Sequence, residues 1–173
     1  MTQIALNVLH NAALYINGNS CLGRADEIKL PTIKVKLDEI KATGMIGTIK
    51  VPVGVEALDG DIKWNAVYPE QWPSLLDPFS ALQLQIRGSL ETHGSTGRTA
   101  QRPYVVLLTA SFYEVPMGDF KPKSPAEFPS KFNATYIKQK VDGQDVLEFD
   151  AMANIWRVGG KDMLETYRQN LGG

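Results

Sequence analysis

The chain has 173 residues, 43% of them hydrophobic and 21% charged, and a formal net charge of −1. That is enough to bury a core within one domain spanning 1–173, and it lacks the basic excess of an electrostatic nucleic-acid binder. A single cysteine, Cys21, excludes an internal disulfide and a cysteine-built zinc site. Apolar runs are short, and Met1-Thr2-Gln3-Ile4 lacks the basic head and apolar stretch of a signal peptide. Synthesis in a cytoplasm and no membrane insertion are therefore expected.

Period-two alternation dominates, and it predicts strands with one dry and one wet face. In Thr32–Leu37, Ile33, Val35 and Leu37 alternate with Thr32, Lys34 and Lys36. In the next run Leu58, Gly60, Ile62, Trp64 and Ala66 alternate with Asp59, Asp61, Lys63 and Asn65. Pro69–Leu76 is predicted as a short turn of helix, since Pro73 interrupts any longer one. Leu82, Leu84, Ile86, Gly88 and Leu90 then alternate with Gln83, Gln85, Arg87, Ser89 and Glu91.

Gly94-Ser95-Thr96-Gly97-Arg98-Thr99 has the look of a phosphate loop, but the pattern fails. Thr92 stands where its first glycine belongs, Arg98 replaces the lysine, and Pro103 leads into a strand instead of a helix that could hold an anion. Flanked by two long strands, the segment reads as a hairpin tip.

Tyr104–Tyr113 is apolar at both parities, which predicts cover on both faces. Pro116, Pro122, Pro125 and Pro129 predict a long surface loop over Pro116–Pro129. Asp142-Gly143 suits a two-residue hairpin turn, pairing Lys140 with Asp145, Lys138 with Leu147 and Tyr136 with Phe149. That register places Asp145 and Glu148 on opposite faces, and the spacing of Asp142, Asp145, Glu148 and Asp150 fails the EF-hand pattern. At the end, Asp162 and Glu165 read as a capping box opening a helix with an apolar stripe of Met163, Leu164, Tyr167 and Leu171, stopped by Gly172.

No catalytic constellation emerges. His10 and His93 are the only histidines and have no acid or histidine at ligand spacing, so no metal or cofactor is expected. There is no Gly-x-Ser-x-Gly elbow. Trp64, Trp72 and Trp156 could line a sugar site in a carbohydrate-binding β-sandwich, although tryptophans more often fill cores. The composition points to an all-β domain with a minor helix, not an enzyme. Long strands with polar faces poor in aromatics would suit a water-filled lumen, and ring assembly would close the open sheet edges.

Several stretches carry a resemblance. Leu14-Tyr15-Ile16-Asn17-Gly18 with Ser20 and Gly23, Leu30-Pro31, Lys36-Leu37 and Gly44-Met45 occur in order in the first half. Val141-Asp142-Gly143, Glu148-Phe149-Asp150, Val158-Gly159-Gly160, Asp162, Leu164-Glu165, Arg168 and Asn170-Leu171-Gly172 follow at the far end. In these the chain resembles the major tail tube protein of contractile-tailed bacteriophages, a family shared with R-type pyocin tubes. The Pro-rich Tyr68–Pro78 segment and Pro116–Pro129 depart from the pattern.

The resemblance implies a β-sandwich or half-barrel whose hexameric rings stack into a hollow tube lined by a continuous inner β-barrel. It implies a virion protein assembled in the host cytoplasm, with tail sheath, baseplate and tail-terminator proteins as partners. Tape measure protein and phage DNA would pass through the lumen without sequence-specific binding. On that analogy Lys34, Lys36, Gln83, Gln85 and Arg87 are candidates for the lumen wall. Lys41, Gly44, Met45, Gly94 and Gly97, with the Ile40–Gly47 turn and Thr2–His10, are candidates for ring stacking. Alternatives are the tube of a headless bacteriocin or of a type VI secretion system, and the carbohydrate-binding sandwich.

Overall fold

The computed structural model describes residues 4–172; Thr2 and Gln3 of the candidate stacking segment lie outside them. β1 (Leu6–Ile16) turns back through β2 (Asn19–Ser20), and β3 (Ala25–Lys29) follows. β4 (Val35–Ile40) and β5 (Ile49–Val55) form a hairpin of their own, and β6 (Leu58–Trp64) leads to the short helix α1 (Trp72–Leu75). Then come β7 (Leu82–Gly94), β8 (Gly97–Glu114), β9 (Asp119–Lys121) and β10 (Ser124–Val141). β11 (Gln144–Asp150), β12 (Ile155–Val158), β13 (Lys161–Asp162) and helix α2 (Glu165–Asn170) complete the chain.

Eleven strands make one antiparallel sheet, ordered β13-β12-β11-β10-β8-β7-β1-β2, with β9 and the pair β3-β6 attached along β10. The long strand β10 serves two neighbours in turn. Its first part pairs with β6 from Phe128 to Ala134, and its second with β11 from Tyr136 to Val141, while β8 runs along it from Lys131 onward. The switch falls at a bulge on Thr135, where the register against β8 slips by one residue. Phe128, Ser130, Phe132 and Ala134 are buried before the bulge and Ile137 after it, so the extra residue keeps the inner face continuous across a bend.

The core collects the inward positions of these strands. Leu14 and Ile16 come from β1, Leu58, Ile62 and Trp64 from β6, and Leu82, Leu84 and Ile86 from β7. β8 adds Val106, Leu108, Ala110 and Phe112, and α1 adds Trp72 and Leu75. The alternation of β6 thus emerges as expected. Trp64 is fully buried, and its indole N–H donates to Ser130 Oγ at 2.9 Å, which in turn donates to the Ile62 carbonyl at 2.9 Å. Gly60 is the small position in this strand: a Cβ there would meet the Phe132 ring and lie 2.7 Å from the Lys29 carbonyl.

Four expectations need correction. Pro116–Pro129 is not all loop, because β9 and the start of β10 lie within it. Pro129 lies where β10 has β6 on one side and β8 has not yet joined on the other, a one-sided stretch of strand in which a proline is tolerated. The hairpin at Asp142-Gly143 pairs Lys140 with Asp145 as expected, but an extra residue at Val146 then sets Lys138 opposite Glu148 and Ile137 opposite Phe149. Asp145 and Glu148 consequently share a face, both reaching Lys138 Nζ, at 2.8 and 3.7 Å. In β8 only the even-numbered residues are buried; Val105, Leu107, Thr109 and Ser111 stand half-buried on the other face. Finally, Asp162 is no N-cap. α2 begins at Glu165 without a side-chain cap, and Asp162 instead accepts from the Leu164 N–H at 3.0 Å.

Candidate assembly surface

β7 turns a polar face outward, with Leu107 and Val105 of β8 opposite Gln85 and Arg87 on the same side. Gln83, Gln85 and Arg87 alternate on β7 with the buried Leu82, Leu84 and Ile86, so the structure brings these three candidate residues onto one face. Gln83 exchanges hydrogen bonds with Thr109 across the β7–β8 ladder at 3.1 and 3.3 Å. With its amide oxygen turned to Arg87, Gln85 accepts from the guanidinium at 3.0 and 2.9 Å, and Arg87 also lies over the Tyr15 ring at 5.4 Å. Such pairing spreads the arginine's charge over neighbours and leaves a wall of hydrogen-bonding groups.

Lys34 and Lys36 sit elsewhere, at the root of the β4–β5 hairpin, which forms a separate two-stranded sheet. Ile33 and Val55 anchor that root against the core. Beyond it the hairpin's apolar side chains have no cover among the described residues: Val35 and Leu37 on one face, Ile40 paired with Ile49 on the other and Val53 at a bulge are exposed, with Met45 and Ile46 in the connecting loop. Lys41, Gly44 and Met45 lie in this loop, where Gly44 has φ +88° and the Met45 N–H donates to the Ala42 carbonyl at 3.1 Å. Ion pairs of Glu39 with Lys41 and Lys50 are exposed, at 3.5 and 3.7 Å, and hold little by themselves. A lone two-stranded hairpin is at best marginal in water.

Gly94 and Gly97 close a second hairpin, pairing across the two-residue turn Ser95-Thr96. The strand-turn-strand reading of this segment therefore holds. Beneath the tip, Glu91 gathers partners: Arg98 Nη1 at 2.8 Å and Gln101 Nε2 at 3.2 Å on one oxygen, His93 and His10 Nε2 at 3.2 and 3.9 Å on the other. Arg98's hydrogen bond holds the carboxyl below its ordinary range, with His93 and His10 adding to it. The expectation that the two histidines lack an acidic neighbour is thus overturned. The spacing of Glu91 and His93, two apart on one strand, could have signalled half of the cluster; His10 is 81 residues from Glu91 and only the β1–β7 register delivers it.

The C-terminal elements are fastened by a charge ladder across β10 to α2. Glu148 accepts from Arg157 at 2.9 Å and from the Tyr136 hydroxyl at 3.0 Å, and Asp162 pairs with Arg168 at 2.6 Å and Arg157 at 3.6 Å. Burial, reinforced by Glu148, pushes the Tyr136 hydroxyl up to about 12. Arg168's hydrogen bond, then the Leu164 N–H, holds Asp162 low. The stripe of α2 stays outside this network, with Met163, Tyr167 and Leu171 exposed. Two of the tryptophans, Trp64 and Trp72, are buried, and Trp156 packs edge-on to Phe149 at 5.9 Å, so no tryptophan platform for a sugar is presented.

Solved structures with this arrangement of strands define its class. The chain superposes on the sheath–tube complex of the extracellular contractile injection system PVC in the extended state, with a TM-score of 0.56 at 11% identity, covering 75% of this chain and 87% of that one. The PVC sheath/tube terminator structure gives 0.55 at 12% identity, covering 76% and 94%. The fold is thus the antiparallel β architecture shared with these contractile-system chains. Residues 6–172 match the family described as phage tail tube protein FII, and the chain belongs to that family of structural virion proteins. It is 26% identical over 163 residues to the tail tube protein of Escherichia phage P2, covering 92% of this chain and 93% of that protein. To the major tail tube protein of Serratia phage KSP20 it is 23% identical over 152 residues, covering 87% and 86%.

Proposed function

We propose that copies of this chain, each a single tail-tube domain over 1–173, close into hexameric rings that stack into the inner tube of a contractile tail. The β4–β5 hairpin carries this reading. It presents apolar side chains on both faces, Val35 and Leu37 on one and Ile40 and Ile49 on the other, that none of the described residues covers, on two strands that need a further layer to be stable. A second copy supplies that layer in a closed ring, and edge strands satisfied by neighbours remove the hazard of open-ended pairing.

In this arrangement the polar face bearing Gln83, Gln85 and Arg87 faces the lumen, joined there by Lys34 and Lys36 from the hairpin root of each subunit. Lys41, Gly44 and Met45 in one loop and Gly94 and Gly97 in the other meet the adjoining ring. The exposed stripe of α2 suits the surrounding sheath, with baseplate and terminator proteins at the tube's ends. Tape measure protein and then DNA occupy the lumen, where paired amides and a guanidinium group lying over the half-buried Tyr15 ring leave little aromatic surface for base stacking. The role is structural, in a virion component assembled in the host cytoplasm before the tail is complete.

Negative-stain imaging of the purified chain tests the proposal. Rings or tubes of uniform bore are expected as concentration rises. A chain that sediments only as a monomer, up to its solubility limit, would overturn it.

A further inference from the structure

Both histidines of the chain converge on one carboxylate. In the β1–β7 ladder Leu6 lies opposite His93, Val8 opposite Glu91 and His10 opposite Ser89, and residues directly opposite share a face. His10, Glu91 and His93 therefore stand on the same side of the sheet. A bulge arranges this. Asn11 is an extra residue with φ +51°, inserted between the His10–Ser89 and Ala12–Gly88 pairs. Beyond it the odd-numbered Ala13 and Tyr15 pair with Arg87 and Gln85; before it the even-numbered residues take that face. Were Asn11 paired instead of bulged, it would stand opposite Ser89 and His10 would turn to the other face. Gly88 makes room opposite the bulge, since a Cβ there would lie 3.0 Å from the Asn11 carbonyl oxygen.

The geometry within the cluster is close to a coordination shell. Nε2 of His93 and of His10 lie 3.2 and 3.9 Å from the same Glu91 oxygen, Oε2, and one donor atom from each of the three side chains lies within 4.8 Å of the others. Ligands bonded to a tetrahedral zinc at about 2.0–2.2 Å stand roughly 3.3–3.6 Å apart, so a small turn of the exposed His10 ring closes the set. The other oxygen, Oε1, accepts from Arg98 and Gln101 at 2.8 and 3.2 Å, which fixes the carboxylate with Oε2 aimed between the imidazoles. Outer hydrogen bonds of this kind orient a metal ligand.

We propose that His10, Glu91 and His93 bind a divalent transition-metal ion of the zinc class, with a fourth position left for water or a group from another molecule. Two imidazoles and one carboxylate suit zinc, nickel or copper, whereas calcium and magnesium call for more oxygen ligands than the cluster holds. Arg98 lowers the affinity by its charge, so binding is weaker than that of a structural zinc. The bound ion ties the first half of β1, with its exposed Leu6, Val8 and Leu9, to β7 just below the hairpin tip. None of this depends on the tube reading.

Isothermal titration of Zn²⁺ into the chelator-stripped full chain tests the site, with Co²⁺ absorption reporting tetrahedral geometry. One saturable site per chain is expected, undisturbed by excess Mg²⁺, together with a zinc-dependent rise in Tm. His10→Ala and His93→Ala, at exposed and half-buried positions, and Glu91→Gln should each weaken binding by at least about 10-fold. Circular dichroism establishes that each variant is folded, and His10→Ala, the most exposed of the three, is the arm least able to disturb folding. Absence of saturable zinc binding in the parent, or binding unchanged in all three folded variants, would overturn the proposal.

Discussion

Replacing Ile46 by aspartate separates the fold of the chain from its assembly. Ile46 sits in the β4–β5 loop with its side chain wholly in solvent, at 108% relative exposure. A substitution there touches no packed neighbour and should change subunit stability by no more than about 0.5 kcal/mol. If this loop meets the adjoining ring as proposed, the same side chain is covered in the tube. Burying an isoleucine contributes about 1.5–3 kcal/mol, and a buried, unpaired carboxylate adds a penalty on top. At 1.4 kcal/mol per tenfold, loss of the apolar term alone raises the concentration needed for each contact by roughly 10- to 150-fold. Sedimentation velocity and negative-stain imaging across a dilution series measure the shift, with a thermal melt of the unassembled subunit as control. Ile46→Asp should melt like the parent and fail to polymerise where the parent does. Tubes of parental length at parental concentration would refute the stacking role of this loop.

Two further expectations concern the subunit itself. Ser130→Ala leaves the Trp64 N–H without an acceptor in the core, a loss of about 1–3 kcal/mol that lowers Tm by roughly 2–12 °C. Combined with Trp64→Phe, which removes the orphaned donor, the loss should fall short of the sum of the two singles; strict additivity in the cycle would show that the bond contributes nothing. Asp162 is depressed when folded, so its contribution is full above the ordinary carboxylate pKa of about 3.9 and is lost as pH falls through the lower folded value. Hydrogen exchange should therefore show α2 loosening from β12 and β13 below about pH 4, as Asp162 releases Arg168 and Arg157. Asp162→Asn should show that loosening already at neutral pH and a flatter acid dependence, and an unchanged profile would rule the ladder out as the anchor.

What the sequence made legible follows the residues whose neighbours are local. β6 could be read directly, because Leu58, Ile62 and Trp64 alternate with charged or polar residues and all three are buried. The tip at Gly94–Gly97 could be read from its glycines and flanking strands. Bulges were the recurrent source of error. One extra residue moves every later side chain to the other face, and nothing in the identities of Val146 or Thr135 announces that they will be the extra ones. The error at Val146 separated Asp145 from Glu148, and the bulge at Asn11 hid His10 from Glu91. The prolines of β10 misled for a related reason. They exclude a strand only where it is paired on both sides, and at Pro129 β10 has β6 alone, before β8 joins at Lys131. The dry face of β4 at Val35 and Leu37 was visible in outline, yet none of the described residues covers it, and the Ile40–Ile49 pair on the opposite face was not foreseen.

The double allegiance of β10 has a mechanical consequence. Its 18 residues run through the subunit as one covalent thread, roughly 55–60 Å in contour at about 3.3 Å per residue. Because β6 and β11 succeed each other along one flank while β8 follows most of the other, a pull along this thread loads many ladder hydrogen bonds in shear together. It cannot unzip them singly from an end. The subunit therefore resists a pull along β10 more stiffly than a pull across it. The bend at Thr135 would be the place where strain first shows.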